Sequence, residues 1–87
     1  MTIEFDEAKE QFLVPCKEGH QATLRFRKVD SNTVDFYSTF VPEQCRGTGA
    51  GLKLVKHGLA WAKSQELDVV ASCWFVEKVM ASKRQHS

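Results

Sequence analysis

A chain of 87 residues has length for one domain, 1–87, with a modest core, because a globule this small hides only roughly 60% of its unfolded surface. Apolar residues at 43% exclude disorder, and 12 Lys and Arg against 11 Asp and Glu, a net charge of +1, exclude a strongly basic nucleic-acid binder. The start Met1-Thr2-Ile3-Glu4 lacks the basic and apolar regions of a secretion signal. The longest nearly uncharged apolar run, Val69 to Val76, is too short for a bilayer, which takes about 20 residues. A cytoplasmic protein without membrane or nucleic-acid partners is expected. Cys16, Cys45 and Cys73 are odd in number and contain no C-x-x-C, so reduced thiols are expected rather than a disulfide scaffold. Cys16 and His20 stand four apart, but no second ligand pair follows, so no metal site is read.

In chain order, Thr2-Ile3-Glu4-Phe5 reads as a weak strand and Gln11-Phe12-Leu13-Val14 as a firmer one. Ala22-Thr23-Leu24-Arg25-Phe26-Arg27 alternates apolar and polar at every step, and in residues 34–40 Val34, Phe36 and Phe40 share one side. Period two is the mark of half-buried strands. The short polar connections at residues 6–10, 17–19 and 30–32 make them an antiparallel meander. After Pro42 the period changes. Leu52, Val55, Leu59 and Ala62 recur at helical spacing, with Leu54 and Trp61 widening the stripe, so an amphipathic helix is predicted over about 48–65. Gly58 inside it costs about 1 kcal/mol against Ala and marks a close backbone approach. An apolar strand over 68–75, buried on both faces, and a last short helix from Val76 to about Lys83 complete the order β-β-β-β-α-β-α, with residues from Arg84 onward frayed. Strand 33–41, helix 48–65 and strand 68–75 form a βαβ unit with parallel strands, and a ligand belongs at their carboxyl ends.

The most informative segment lies between strand and helix: Pro42-Glu43-Gln44-Cys45-Arg46-Gly47-Thr48-Gly49-Ala50-Gly51. Glycines let the backbone approach a ligand, free N–H groups at a helix start suit a phosphate, and Arg46 adds donors. A Walker loop would need Gly where Leu52 stands, and neither register of the Rossmann fingerprint fits. Gln44-Cys45-Arg46-Gly47-Thr48-Gly49 does match [QR]-x-x-G-x-[GA]. With the strand ending Ser38-Thr39-Phe40-Val41-Pro42 and the segment Ala71-Ser72-Cys73-Trp74-Phe75, it resembles the GCN5-related N-acetyltransferases, and specifically their small single-domain YjdJ-type branch.

That resemblance implies an α+β, mixed α/β fold in which an antiparallel meander is followed by a βαβ unit with splayed parallel strands and a short C-terminal helix. It also implies acetyl-CoA (coenzyme A) as cofactor, held by Phe40 and Val41 along the pantetheine arm. Gln44, Cys45, Arg46, Gly47, Thr48, Gly49, Ala50 and Gly51 would lie at the pyrophosphate. The reaction implied is attack of an amine, on a small molecule or a protein, on the thioester. It needs positioning, a deprotonated amine and an oxyanion donor. By the same analogy Cys73 lies on the second splayed strand. It has three chemical roles open to it: protonating the leaving thiolate, lining the acetyl pocket, or carrying the acetyl group. Packing is its plain alternative. Glu43 is the remaining carboxylate candidate. Two positions depart from the family pattern. Ser38 stands where relatives usually carry His, and Phe75 stands near where larger members place a Tyr acid. The chain also lacks the helices that wall the acceptor site in larger members.

Lys53, Lys56, Lys83 and Arg84 are either reach for a 3′-phosphate or solvated surface. His57 and His86 read as surface residues, and His20 as a candidate for the cleft. Trp61 is expected on the sheet, and Trp74 with Phe75 either in the core or over the acyl end. An acetyltransferase is thus weighed against a CoA-binding module without turnover and against an interaction domain that has lost the cofactor. Against the last stand Gly47, Gly49 and Gly51, for which packing offers no reason in the sequence.

Overall fold

A computed structural model describes residues 2–85. Its sheet has five strands in the order β1-β2-β3-β4-β5: β1 Glu4–Asp6, β2 Gln11–Pro15, β3 Gln21–Asp30, β4 Thr33–Phe40 and β5 Asp68–Ala71. The first four pair antiparallel and β5 pairs parallel to β4, Thr33 to Phe36 against Asp68 to Ala71. Helix α1 spans Ala50–Ser64 and helix α2 spans Trp74–Gln85. Single 3-10 turns at Lys17–Gly19 and Glu43–Cys45 precede β3 and α1. This is the mixed α+β arrangement expected. No helix of the described residues is long and apolar enough to cross a membrane.

The core lies between the sheet and α1. Phe12, Leu24, Val34 and Phe36 from the strands meet Leu54, Val55 and Ala62 of the helix, all fully buried. Gly58 confirms the predicted close approach. A Cβ there would lie 2.8 Å from Leu24 Cδ2 and 3.0 Å from Phe36 Cε1, closer than packed carbons tolerate. Beside it, Trp61 packs on the sheet as expected, with its ring 5.0 Å from Phe26 and 5.4 Å from Phe5.

Several local expectations are corrected. The buried stripe of α1 is rotated by about one residue, onto Leu54, Val55, Gly58 and Ala62. Leu52 is 43% exposed and turns with Leu59 toward α2. β5 stops at Ala71 instead of running to residue 75. It is an edge strand with Val70 48% exposed, so its apolar run does not signal burial on both faces. Trp74 and Phe75 belong to α2, which begins two residues earlier than predicted and continues as helix through Arg84 to Gln85. Phe40 does not share the buried side of Val34 and Phe36. Arg25 pairs with Ser38 and Phe26 with Phe36, so Tyr37 is an extra residue in β4. A bulge of this kind reverses the alternation beyond it. Thr39 now lies opposite the buried Leu24, and Phe40 is 59% exposed.

The cysteine expectation is also overturned. Cys16, just after β2, and Cys45, in the turn before α1, form a disulfide with Cα atoms 5.4 Å apart. The pairing was invisible because the two residues stand 29 apart in sequence. Only folding the β2–β3 hairpin back beside the residue 42–49 turn brings them together.

Candidate active site

The parallel ladder ends at Phe36 and Ala71, and the bulge at Tyr37 follows at once. From there β4 continues to Phe40 with β3 on one side and, among the described residues, no strand on the other. The chain leaves β5 through Ser72 and Cys73 and turns into α2. The result is a cleft of about 380 Å³ lined by Thr39, Phe40, Val41, Arg46, Cys73, Trp74 and Phe75. It lies at the carboxyl ends of β4 and β5, where a ligand was expected, but not between two splayed strands, because β5 ends at Ala71. Cys73 lies not on a strand but at the N-cap of α2, where its carbonyl accepts from Glu77 N at 3.0 Å.

Two contacts pin this corner. Cys73 N donates to Phe36 O at 3.2 Å. Ser72 donates twice to Asp35, from its N–H to Oδ1 at 3.0 Å and from its Oγ to Oδ2 at 2.8 Å. Arg27 reaches the same Oδ2 at 3.1 Å. Burial pushes the Asp35 carboxyl up, but the Ser72 donors and Arg27 outweigh it, so it stays below its ordinary value. The Cys73 thiol sits 3.5 Å from Thr39 Oγ1. Burial raises its pKa; the Thr39 hydroxyl and the backbone N–H groups of Val76 and Phe75 lower it, and the net direction is down. A helix start next to a hydroxyl is a setting that favours thiolate.

The glycine turn stands beside the cleft. Gly47 and Gly49 have φ of 80° and 73°, the left-handed region where a side chain is strained. The space where their Cβ atoms would stand is open, with only Lys53 Cε at 3.9 Å from that of Gly49. Gly51 differs, because a Cβ there would meet Val41 Cγ2 at 3.1 Å and Phe75 Cε2 at 3.4 Å. Packing therefore does bear on this third glycine, contrary to the sequence-based expectation: a Cβ fits only if Val41 or Phe75 gives by a few tenths of an ångström. Cys45 N and Arg46 N are occupied by turn bonds, and Thr48 Oγ1 donates to Cys45 O. Lys53 N is the first in α1 to bond back, to Gly49 O at 3.0 Å. The N–H groups of the first turn ahead of it lack helical partners, and they form the positive end of the helix dipole.

The fold, the open end of β4 and the glycine turn now stand together, and a family model described as GCN5-related N-acetyl-transferase matches residues 11–87. The chain belongs to this family. No curated protein matched it.

Among the predicted site residues of this GCN5-related chain, Phe40, Val41, Arg46 and Cys73 line one cleft. Cys45, Gly47, Gly49, Ala50 and Gly51 line the adjoining hollow over the turn, which shares Val41, Arg46 and Phe75 with the cleft. Gln44 and Thr48 are exposed in the same turn, and Glu43 is exposed without joining the residues that line either space. Ser38 lies opposite Arg25, on the face away from Leu24 and α1. His20 is exposed beside Gly19. His57 is exposed, with its ring edge-on to Phe12 at 5.4 Å. Lys53 and Lys56 are exposed on α1, Lys56 beside an apolar groove formed with α2. Trp74, 72% exposed, is not in the core. The side chains of Lys83 and Arg84, and all of His86, lie outside the described residues. Thr39, Asp35 and Ser72 were missed as site residues. The sequence carried no clear signal for them, because a polar residue at Asp35, between Val34 and Phe36, is what an alternating strand leads one to expect.

Proposed function

We propose that the chain is an acetyl-CoA-dependent N-acetyltransferase of the small YjdJ-type branch, acting on an amine acceptor. The observation that carries this reading is the juxtaposition of the glycine turn with the unpaired end of β4 and the Cys73 thiol. The residues fit the cofactor. Open space over Gly47 and Gly49 leaves room for a diphosphate against the N–H groups at the start of α1, and Arg46 adds charge-assisted donors. The backbone of Thr39 to Val41, free of a strand on its β5 side, is suited to the amides of an extended pantetheine arm. Bound acetyl-CoA supplies the thioester whose acyl group the amine takes.

The residues of this chain then have limited tasks. β4 and the turn would hold and orient the cofactor, and a β4 N–H on the edge without a strand would donate to a developing oxyanion. Cys73, with its thiol pKa lowered and Thr39 at its side, holds or yields a proton at Sγ. Ser38 offers no base and Phe75 no acid, and Glu43 remains the nearest sequence-adjacent carboxylate on the turn. The same geometry without turnover, a CoA-binding module, is favoured by the Ser38 position, which points away from the α1 face.

The test is a titration of labelled protein with CoA and acetyl-CoA, read by residue-resolved amide shifts. Shifts centred on Phe40 to Gly51 and on Cys73 are expected. Flat spectra at millimolar ligand would remove the cofactor reading. Binding without acetylation across an amine panel would select the module.

A further inference from the structure

The turn that is read as the cofactor site is tied to the rest of the molecule in an unusual way. From Glu43 to Gly49 every residue is exposed except Cys45, which is fully buried. The bonds of the turn itself are local: Cys45 N to Pro42 O, Arg46 N to Glu43 O, and Thr48 Oγ1 to Cys45 O. Cys45 is thus the one side chain that anchors the turn in the core, and it is bonded covalently to Cys16. Cys16 is itself held in place, its N–H donating to His20 O at 2.7 Å across the 3-10 turn between β2 and β3. The two halves of the disulfide differ in access. Cys16 is half-buried, whereas Cys45 has no exposed surface.

We propose that the Cys16–Cys45 bond is a redox clamp on the glycine turn: oxidised, it holds Gly47 to Gly51 in the anion-binding shape, and reduced, it releases them, so that cofactor affinity follows the thiol–disulfide state. The proposal rests on the acetyl-CoA reading above for its functional consequence, but not for the clamping itself. The co-reactant is a thiol reductant. Its thiolate attacks Sγ of Cys16, the accessible half. The S–S bond breaks, and Cys45 leaves as a thiolate that takes up a proton. A second thiol then displaces Cys16 from the mixed disulfide. Two electrons end on two protein thiols, and the reductant becomes a disulfide. Cys73, free and at the neighbouring cleft, takes no part.

Acetyl-CoA is the proper titrant, because its sulfur is acylated and cannot open the bond as free CoA can. The full chain is prepared oxidised and dithiothreitol-reduced, with mass spectrometry confirming a difference of two hydrogens and circular dichroism confirming that both are folded. Reduction is expected to weaken acetyl-CoA binding by at least about fivefold, since a preorganised site becomes mobile, and to speed amide exchange at Gly47, Gly49 and Gly51. Cys16→Ser is expected to bind like the reduced chain and to ignore dithiothreitol, which separates the clamp from any oxidation of Cys73. If that variant does not fold, the comparison of the two wild-type forms stands alone. Equal exchange in both forms, binding of acetyl-CoA with equal affinity by both forms, or a chain in which both thiols stay reduced in air would overturn the clamp. Failure of both forms to bind acetyl-CoA, with exchange still responding to reduction, would overturn the cofactor reading and leave the clamp standing.

Discussion

Cys73 sits where burial and hydrogen bonding oppose each other. Burial raises its pKa, while Thr39 and the N–H groups of Val76 and Phe75 pull it below the ordinary thiol value of 9.0. It is also the one free cysteine, so alkylation reports on it alone. Its reaction with iodoacetamide is expected to rise with a midpoint below pH 9.0, and Thr39→Val to move that midpoint upward. An unmoved midpoint would assign the lowering to the helix start. In Cys73→Ala acetyl transfer should fall while acetyl-CoA affinity holds; unchanged transfer would leave Cys73 a packing residue. Asp35 acts by a different route. Its folded pKa lies below the ordinary 3.8, so its contribution to stability is complete above that value and is lost as pH falls through the lower folded value. Most of the contribution is assigned to the two Ser72 donors, because the Arg27 side chain is largely exposed and its charge is screened by water. Asp35→Asn should therefore melt lower at neutral pH, by about 1–3 kcal/mol in stability, with the gap closing in acid. A gap that persists at low pH would mean that a contact, rather than the charge, was lost.

Helix α1 and its N-cap carry two kinds of glycine, at Gly58 and Gly49, and they separate binding from folding. At Gly58 the missing Cβ makes room for Leu24 and Phe36. At Gly49 the conformation is left-handed and the neighbouring space is open. Gly58→Val should destabilise by roughly 1–3 kcal/mol through overpacking and leave acetyl-CoA affinity intact in the protein that remains folded. Gly49→Val places a branched side chain in the open space and at positive φ, a strain of order 1–3 kcal/mol, and should reduce acetyl-CoA affinity by far more than Gly58→Val does. Isothermal titration beside thermal melts distinguishes them. Parallel losses of binding in both variants would make the glycine turn a structural corner only.

Across the whole molecule the disulfide closes a long ring. Cys16 and Cys45 are 29 residues apart, and a ring of that size contributes roughly 3–4 kcal/mol by chain entropy. For a small domain that is a large share of the total. Reduction should lower the thermal midpoint by more than about 10 °C; an unchanged midpoint would show that the hairpin and the turn hold together without the bond. The same long-range closure shows what the linear chain does and does not carry. Alternation in Ala22 to Arg27 and helical spacing from Leu52 to Ala62 were enough to set the element order and the βαβ unit, and the glycine run at 47–51 pointed to the turn on which the proposed site rests, because each is a local pattern of side-chain period or backbone freedom. The bulge at Tyr37 was not legible, and so Thr39 was missed and Phe40 was read on the same side as Val34 and Phe36. Nor was the end of β5 at Ala71, since an apolar run reads alike in a strand and in the first turn of a helix. The Cys16–Cys45 bond, the reach of Asp35 to Ser72 and the close packing of Val41 and Phe75 around Gly51 join residues far apart in sequence. Such contacts exist only once sheet and helices are assembled, and they were decided by the tertiary structure alone.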